Sequence, residues 1–167
     1  MKVMKRFGRA LCFLLLTVIL AGTCSGQLPG KEKVNREPAV AGSFYPASRA
    51  ELEKMLSLFF KAEATTAGEQ PLALVVPHAG YVFSGEVAAA GFRLLDRDKP
   101  YGHIFIIGPA HRTYFNGAAI YTQGDFITPL GHVPVDQLAG TLVQKHKLVT
   151  GNPAPHKQEH CIEVQLP

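Results

Sequence analysis

The hydrophobic positions of this chain fall into two patterns after a single apolar stretch near its start, Ala10 to Ala21. Leu52, Met55, Leu56 and Phe59 recur at steps of three, one and three, which places them on one helical face and predicts a helix from about Arg49 to Ala62. Ser48 followed by Glu51 has the form of a capping box at its start. Leu72–Val76 and Ile104–Ile107 are instead short continuous apolar runs, closed by Pro77 and by Gly108-Pro109, as strands buried on both faces are. Between them Glu86 to Leu95, rich in Ala and Leu, reads as a helix. Strand, helix and strand over roughly 35 residues make a βαβ unit, so the two strands are expected to run parallel. Ala118 to Tyr121 is a weaker third strand. Asp136 is placed to cap a helix reaching about His146, on which Leu138, Leu142 and Val143 share a face. Gln158 to Leu166 begins a further element. The expected fold class is α/β, a mostly parallel sheet flanked by helices. Its unpaired apolar edges suggest a fragment of a longer protein whose C-terminal half is missing.

Residues 1–26 divide into a basic start, the apolar stretch and a small-residue region, Gly22-Thr23-Cys24-Ser25-Gly26. Roughly 12 apolar residues span ~18 Å as a helix, short of the ~30 Å core of a bilayer. The pattern is that of a signal peptide, and Leu20 to Cys24 resembles a lipoprotein box with Thr23 in place of the usual smaller residue. An exported protein is expected, periplasmic or lipid-anchored, touching a membrane only through that signal or anchor. Residues 27–37 read as a polar linker and 38–167 as one domain.

Charge removes one class of function. The formal net charge is +4, but Lys2, Lys5, Arg6 and Arg9 lie in the leading segment, and the other thirteen of the 17 basic residues are balanced by 13 acidic ones. A neutral body lacks the electrostatic footprint for a phosphate backbone, so no nucleic-acid partner is expected. Of three cysteines only Cys161 lies in the body, and it reads as a small buried residue.

The seven histidines are where chemistry concentrates. His78 and His111 follow the two apolar runs after short proline-stiffened turns. In a parallel pair both emerge at the carboxyl edge, where open α/β sheets hold ligands. Each alone would read as a loop histidine; together they are the start of a metal site. His160 lies in Glu159-His160-Cys161-Ile162-Glu163, where a helix would place it on one face with Glu163, as ligand and acceptor or as acid/base and orienter. His103, His132, His146 and His156 carry no such context. Ser84 is placed to cap the helix after His78.

Five ordered motifs carry a resemblance: Ala41-Gly42-Ser43-Phe44-Tyr45-Pro46, Pro77-His78-Ala79-Gly80-Tyr81 with Ser84-Gly85, Gly108-Pro109-Ala110-His111, Thr128-Pro129-Leu130-Gly131, and Glu159 to Pro167. From about residue 36 onward the chain resembles the Memo family, which includes the AmmeMemoRadiSam system protein B of prokaryotes. The family's fold is similar to that of class III extradiol (LigB-like) dioxygenases. The resemblance implies a mononuclear metal pocket with His78 and His111 as metal ligands, His160 as the pocket histidine in a catalytic role, and Cys161 where the family usually has Ser. The implied cofactor is Fe or Cu, with Zn as a third choice. The implied function is redox or dioxygenase-like chemistry on a small oxygen-bearing ligand. The alternative is a non-catalytic module that binds a small molecule or peptide in the same pocket.

Overall fold

The computed structural model describes residues 33–61 and 71–167, so the leading segment and most of the expected linker lie outside the described residues. Helix α1 spans Arg49–Phe59 and helix α2 Tyr81–Phe92; α3 covers Leu138–Lys145 and the short α4 Ala154–Lys157, followed by a 3-10 turn at Glu163–Gln165. The strands are short. β1 (Ala118–Ala119) pairs in parallel with β4 (Val149–Thr150), and β2 (Phe126–Thr128) forms an antiparallel hairpin with β3 (Gly131–Val133). The chain is thus α/β with a small parallel sheet and helices. No helix among the described residues is long and apolar enough to cross a membrane.

Local pattern explains the helices. The expected apolar face of α1 is the one that packs: Leu52 is fully buried beside Tyr45, Tyr81 and Val164, with Met55, Leu56 and Phe59 against the same cluster. Ser48 sits at the α1 N-cap with extended backbone, yet its side chain makes no capping bond, so the capping box is not formed. α2 begins five residues earlier than the Ala-rich stretch, with Gly80 at its N-cap. Ser84 lies inside that helix and donates back to the Ala79 carbonyl at 3.0 Å instead of capping it. Asp136 does serve the start of α3, accepting the Leu138 N–H at 2.8 Å. At the β2–β3 turn the Thr128 hydroxyl takes the Leu130 N–H (3.1 Å) and donates to the Gly131 carbonyl (3.0 Å), and Gly131 supplies the φ of 137°.

The two apolar runs correct the expectation. Leu72–Val76 and Ile104–Ile107 form no strand: among the described residues neither enters a sheet, and Leu72, Val75 and Ile107 are almost wholly exposed. A strand exists through its neighbour's N–H and C=O groups, so an apolar run without a paired neighbour is not one. The parallel pair found is β1 with β4, elsewhere in the sequence.

The core lies between α1, α2 and the C-terminal segment, and the N-terminal strap 34–45 is laced to both ends of it. Val34 N–H and Arg36 N–H bond the carbonyls of Gln123 and Asp125 (2.9 and 2.8 Å), which lays the strap beside β2. Its other side grips the 3-10 turn. The buried Glu163 carboxylate accepts the Ala39 and Val40 N–H groups (both 2.9 Å), the Tyr45 hydroxyl (2.7 Å) and the Arg36 guanidinium. Burial first, and then its hydrogen bond to Glu163, pushes the Tyr45 phenol far above its ordinary range.

Candidate metal centre

Three histidines from separate loops meet at one place. The ring centroids of His78 and His111 are 5.3 Å apart, those of His78 and His160 5.8 Å, and those of His111 and His160 4.6 Å, the last pair nearly parallel. One nitrogen from each ring lies within 4.8 Å of one from each of the others. His111 is exposed and the other two are partly buried, so the cluster faces solvent on one side. Phe44 closes another side, its ring edge-on to His160 at 4.8 Å.

No sheet edge gathers them. The segment 159–165 does, by taking one bond from or to each loop. The Gln165 amide donates to the Pro77 carbonyl at 2.9 Å, fixing the backbone before His78. The Tyr81 hydroxyl donates to the Val164 carbonyl at 2.8 Å, and the Tyr81 N–H to the Phe44 carbonyl at 2.7 Å, which hold the loop after it. On the His111 side, the Cys161 thiol donates to the Pro109 carbonyl at 2.9 Å and packs on Gly108. A Cβ at Gly108 would stand 2.4 Å from that sulfur, so the close approach requires glycine. Cys161 is the buried residue expected, and burial, then the neighbouring Glu159, pushes its thiol up to about 12.

Glu159 was not singled out by the sequence, yet it joins two of the three loops. One carboxylate oxygen lies 2.8 Å from His111 Nδ1, and the other accepts the His111 N–H at 2.5 Å. The N–H groups of His160 and Cys161 also point at this carboxylate, at 2.9 and 3.1 Å. Burial raises its pKa, but these donors outweigh burial and hold the carboxyl at about 2. Only a contact 48 residues distant in sequence reveals the role; its one local trace is an acidic residue beside a histidine. Glu163, expected on a shared face with His160, turns inward to Arg36 instead.

His160 has its pKa lowered by burial first, with Glu159 opposing and the other two imidazoles reinforcing the shift. A neutral imidazole keeps a lone pair free, the state a metal ligand needs. The donor chemistry suits Fe, Cu or Zn. Among the other histidines, His103 pairs with Asp136 at 2.8 Å on the surface. His156 departs from its loop reading: it is buried against Tyr121 and Phe126, and burial lowers its pKa.

Comparison with known proteins identifies the family. Residues 36–167 match the family model described as Memo-like protein. A MEMO1 family protein of Thermococcus onnurineus is 42% identical over 134 residues, 79% of this chain and 46% of the relative. A MEMO1 family protein of Pyrococcus abyssi is 41% identical with the same coverage, and one of Methanopyrus kandleri is 41% identical over 143 residues, 80% of this chain and 50% of the relative. The chain spans about half the length of the curated relatives it matches. With a family model covering its whole described core, the chain belongs to the Memo-like protein family.

Proposed function

We propose that this chain carries a mononuclear metal pocket in which His78 and His111 hold Fe or Cu, and His160 moves a proton to or from an oxygen-bearing ligand at the open side. The observation that carries the reading is the convergence of three imidazoles from three loops within bonding reach of one ion. When bound, the metal would supply electron transfer and a Lewis-acid position. The chain's own residues do the rest. Glu159 and the Cys161–Pro109 contact hold the His111 loop, the Gln165–Pro77 bond holds the His78 loop, and Phe44 shields one face of His160 from water. The lowered pKa keeps the His160 imidazole neutral, the form that has a lone pair to accept a proton.

A second reading of His160 rests on its placement: its donor nitrogen lies within 4.8 Å of both others, which suits a third ligand equally well. In either case the chemistry is oxidoreductase-like, and the LigB-like sandwich is the larger fold we propose for it. Metal analysis of purified protein tests both readings. Wild type should retain close to one equivalent of Fe or Cu, and His78→Ala/His111→Ala none. Retention by His160→Ala assigns the proton role, and loss assigns the third ligand. Equal metal content in wild type and the double variant would leave only a ligand-binding pocket and end the proposal.

A further inference from the structure

Cys161 and Glu159 form with His111 a second group whose donor atoms lie within 4.8 Å of one another. In this group the Cys161 and Glu159 side chains are already engaged by protein partners. The Cys161 thiol is committed to the Pro109 carbonyl, and the Glu159 carboxylate already receives four N–H groups: the ring and backbone of His111, and the backbones of His160 and Cys161. A carboxylate so occupied directs its neighbours.

We propose that Glu159 is a positioning residue that fixes His111 in the Nδ1–H tautomer, leaving Nε2 as the one ring nitrogen with a free lone pair. An ionised carboxylate only accepts hydrogen bonds. The 2.8 Å contact between its oxygen and His111 Nδ1 therefore requires the proton on Nδ1. The backbone N–H of the same residue bonds the other oxygen, so Glu159 grips His111 at two points and sets both its tautomer and its ring plane. Glu159 is 7% exposed, so water competes little for these bonds from its side. Its own place is fixed from behind, where the Arg36 guanidinium bonds the Glu159 carbonyl and the Glu163 carboxylate together. The strap at residue 36 thus reaches the candidate ligand through two buried side chains. The tautomer follows from these contacts alone; its consequence for metal affinity rests on the function proposed above.

Two measurements on the full chain test it. Long-range proton–nitrogen NMR of metal-free, nitrogen-15-labelled protein near neutral pH reads each histidine tautomer, and the His111→Gln spectrum identifies the His111 signals. Wild type should show His111 with a protonated Nδ1 and an unprotonated Nε2. Glu159→Gln removes the negative charge that holds Nδ1–H and turns an NH2 group either toward the His111 backbone N–H or toward the three N–H groups that Oε1 accepts, so the Nδ1–H form should lose part of its dominance. Affinity for Zn(II), titrated as a diamagnetic probe, should fall by about 10- to 100-fold. A merely structural role for Glu159 would not move the tautomer. The proposal is overturned if wild-type His111 carries its proton on Nε2, or if Glu159→Gln keeps both the tautomer and the Zn(II) affinity within about twofold. Should Glu159→Gln fail to fold, the wild-type spectrum decides. If wild type shows the expected tautomer but binds no Zn(II), the positioning role stands and the metal reading falls.

Discussion

Replacing Arg36 with Met keeps most of the apolar stem but removes the guanidinium, whose Cζ lies 5.7 Å from the centre of the Phe126 ring, and with it the charge from the most deeply buried ion pair among the described residues. Arg36 is 4% exposed and Glu163 1%. After the change, Glu163 keeps three donors, Ala39 N–H, Val40 N–H and the Tyr45 hydroxyl, but its negative charge has no counterion. The carbonyls of His156 and Glu159 each lose the guanidinium as a donor. Breaking a buried pair by removing one partner costs about 3–5 kcal/mol, because the stranded charge stays desolvated. At a urea dependence of roughly 1.5 kcal/mol per molar for a domain of this size, the unfolding midpoint should drop by about 2–3 M. Glu163→Gln alone should cost less, since the guanidinium keeps two carbonyl acceptors. The double variant Arg36→Met/Glu163→Gln should be at least about 1 kcal/mol more stable than the sum of the singles predicts, because no unpaired charge remains. Equilibrium urea unfolding of the four proteins, followed by circular dichroism, reads these shifts. A midpoint change below about 0.5 M for Arg36→Met, or strict additivity in the cycle, would refute the view that this pair ties the strap to the site segment.

Acid should unfold the protein in two stages. Burial lowers the His156 pKa, so its stabilising neutral state is lost as pH falls from the ordinary histidine value of about 6.5. Glu159, held at about 2 against an ordinary 4.5, adds stability that is complete above pH 4.5 and disappears as pH falls toward 2, a span worth no more than about 3 kcal/mol. A urea midpoint that stays flat from about pH 7 to pH 3 would contradict both assignments. The Cys161 thiol, buried and pushed up to about 12, should resist iodoacetamide in the native protein and react on unfolding; rapid native alkylation would show the segment to be open. Gly108→Ala should destabilise by about 1–3 kcal/mol through contact with the Cys161 sulfur. Gly108→Ala/Cys161→Ala should cost measurably less than the two single changes added, as read by thermal melting.

Much of the helical structure was legible because a helix satisfies its own backbone and advertises its buried face every three to four residues. The Leu52–Phe59 face shows it, as does the stretch ending at Lys145. The two stronger strand expectations failed for the opposite reason. Leu72–Val76 and Ile104–Ile107 have the composition of buried strands, but pairing depends on partners that composition does not name. Ala118–Ala119 with Val149–Thr150, a weaker pattern, is the pair that forms.

The site divides in the same way. The sequence by itself determined the residue types and their loops: His78 and His111 after proline-closed apolar runs, His160 in an acidic motif, and the family they resemble. Only the tertiary structure decided what brings those rings together. The agent is the segment 159–165, anchored by Glu163 to Arg36 and reaching His111 through Glu159. These are contacts between residues separated by tens to more than a hundred positions. Local spacing carries no record of them, because a buried carboxylate takes its partners from whatever donors folding presents to it.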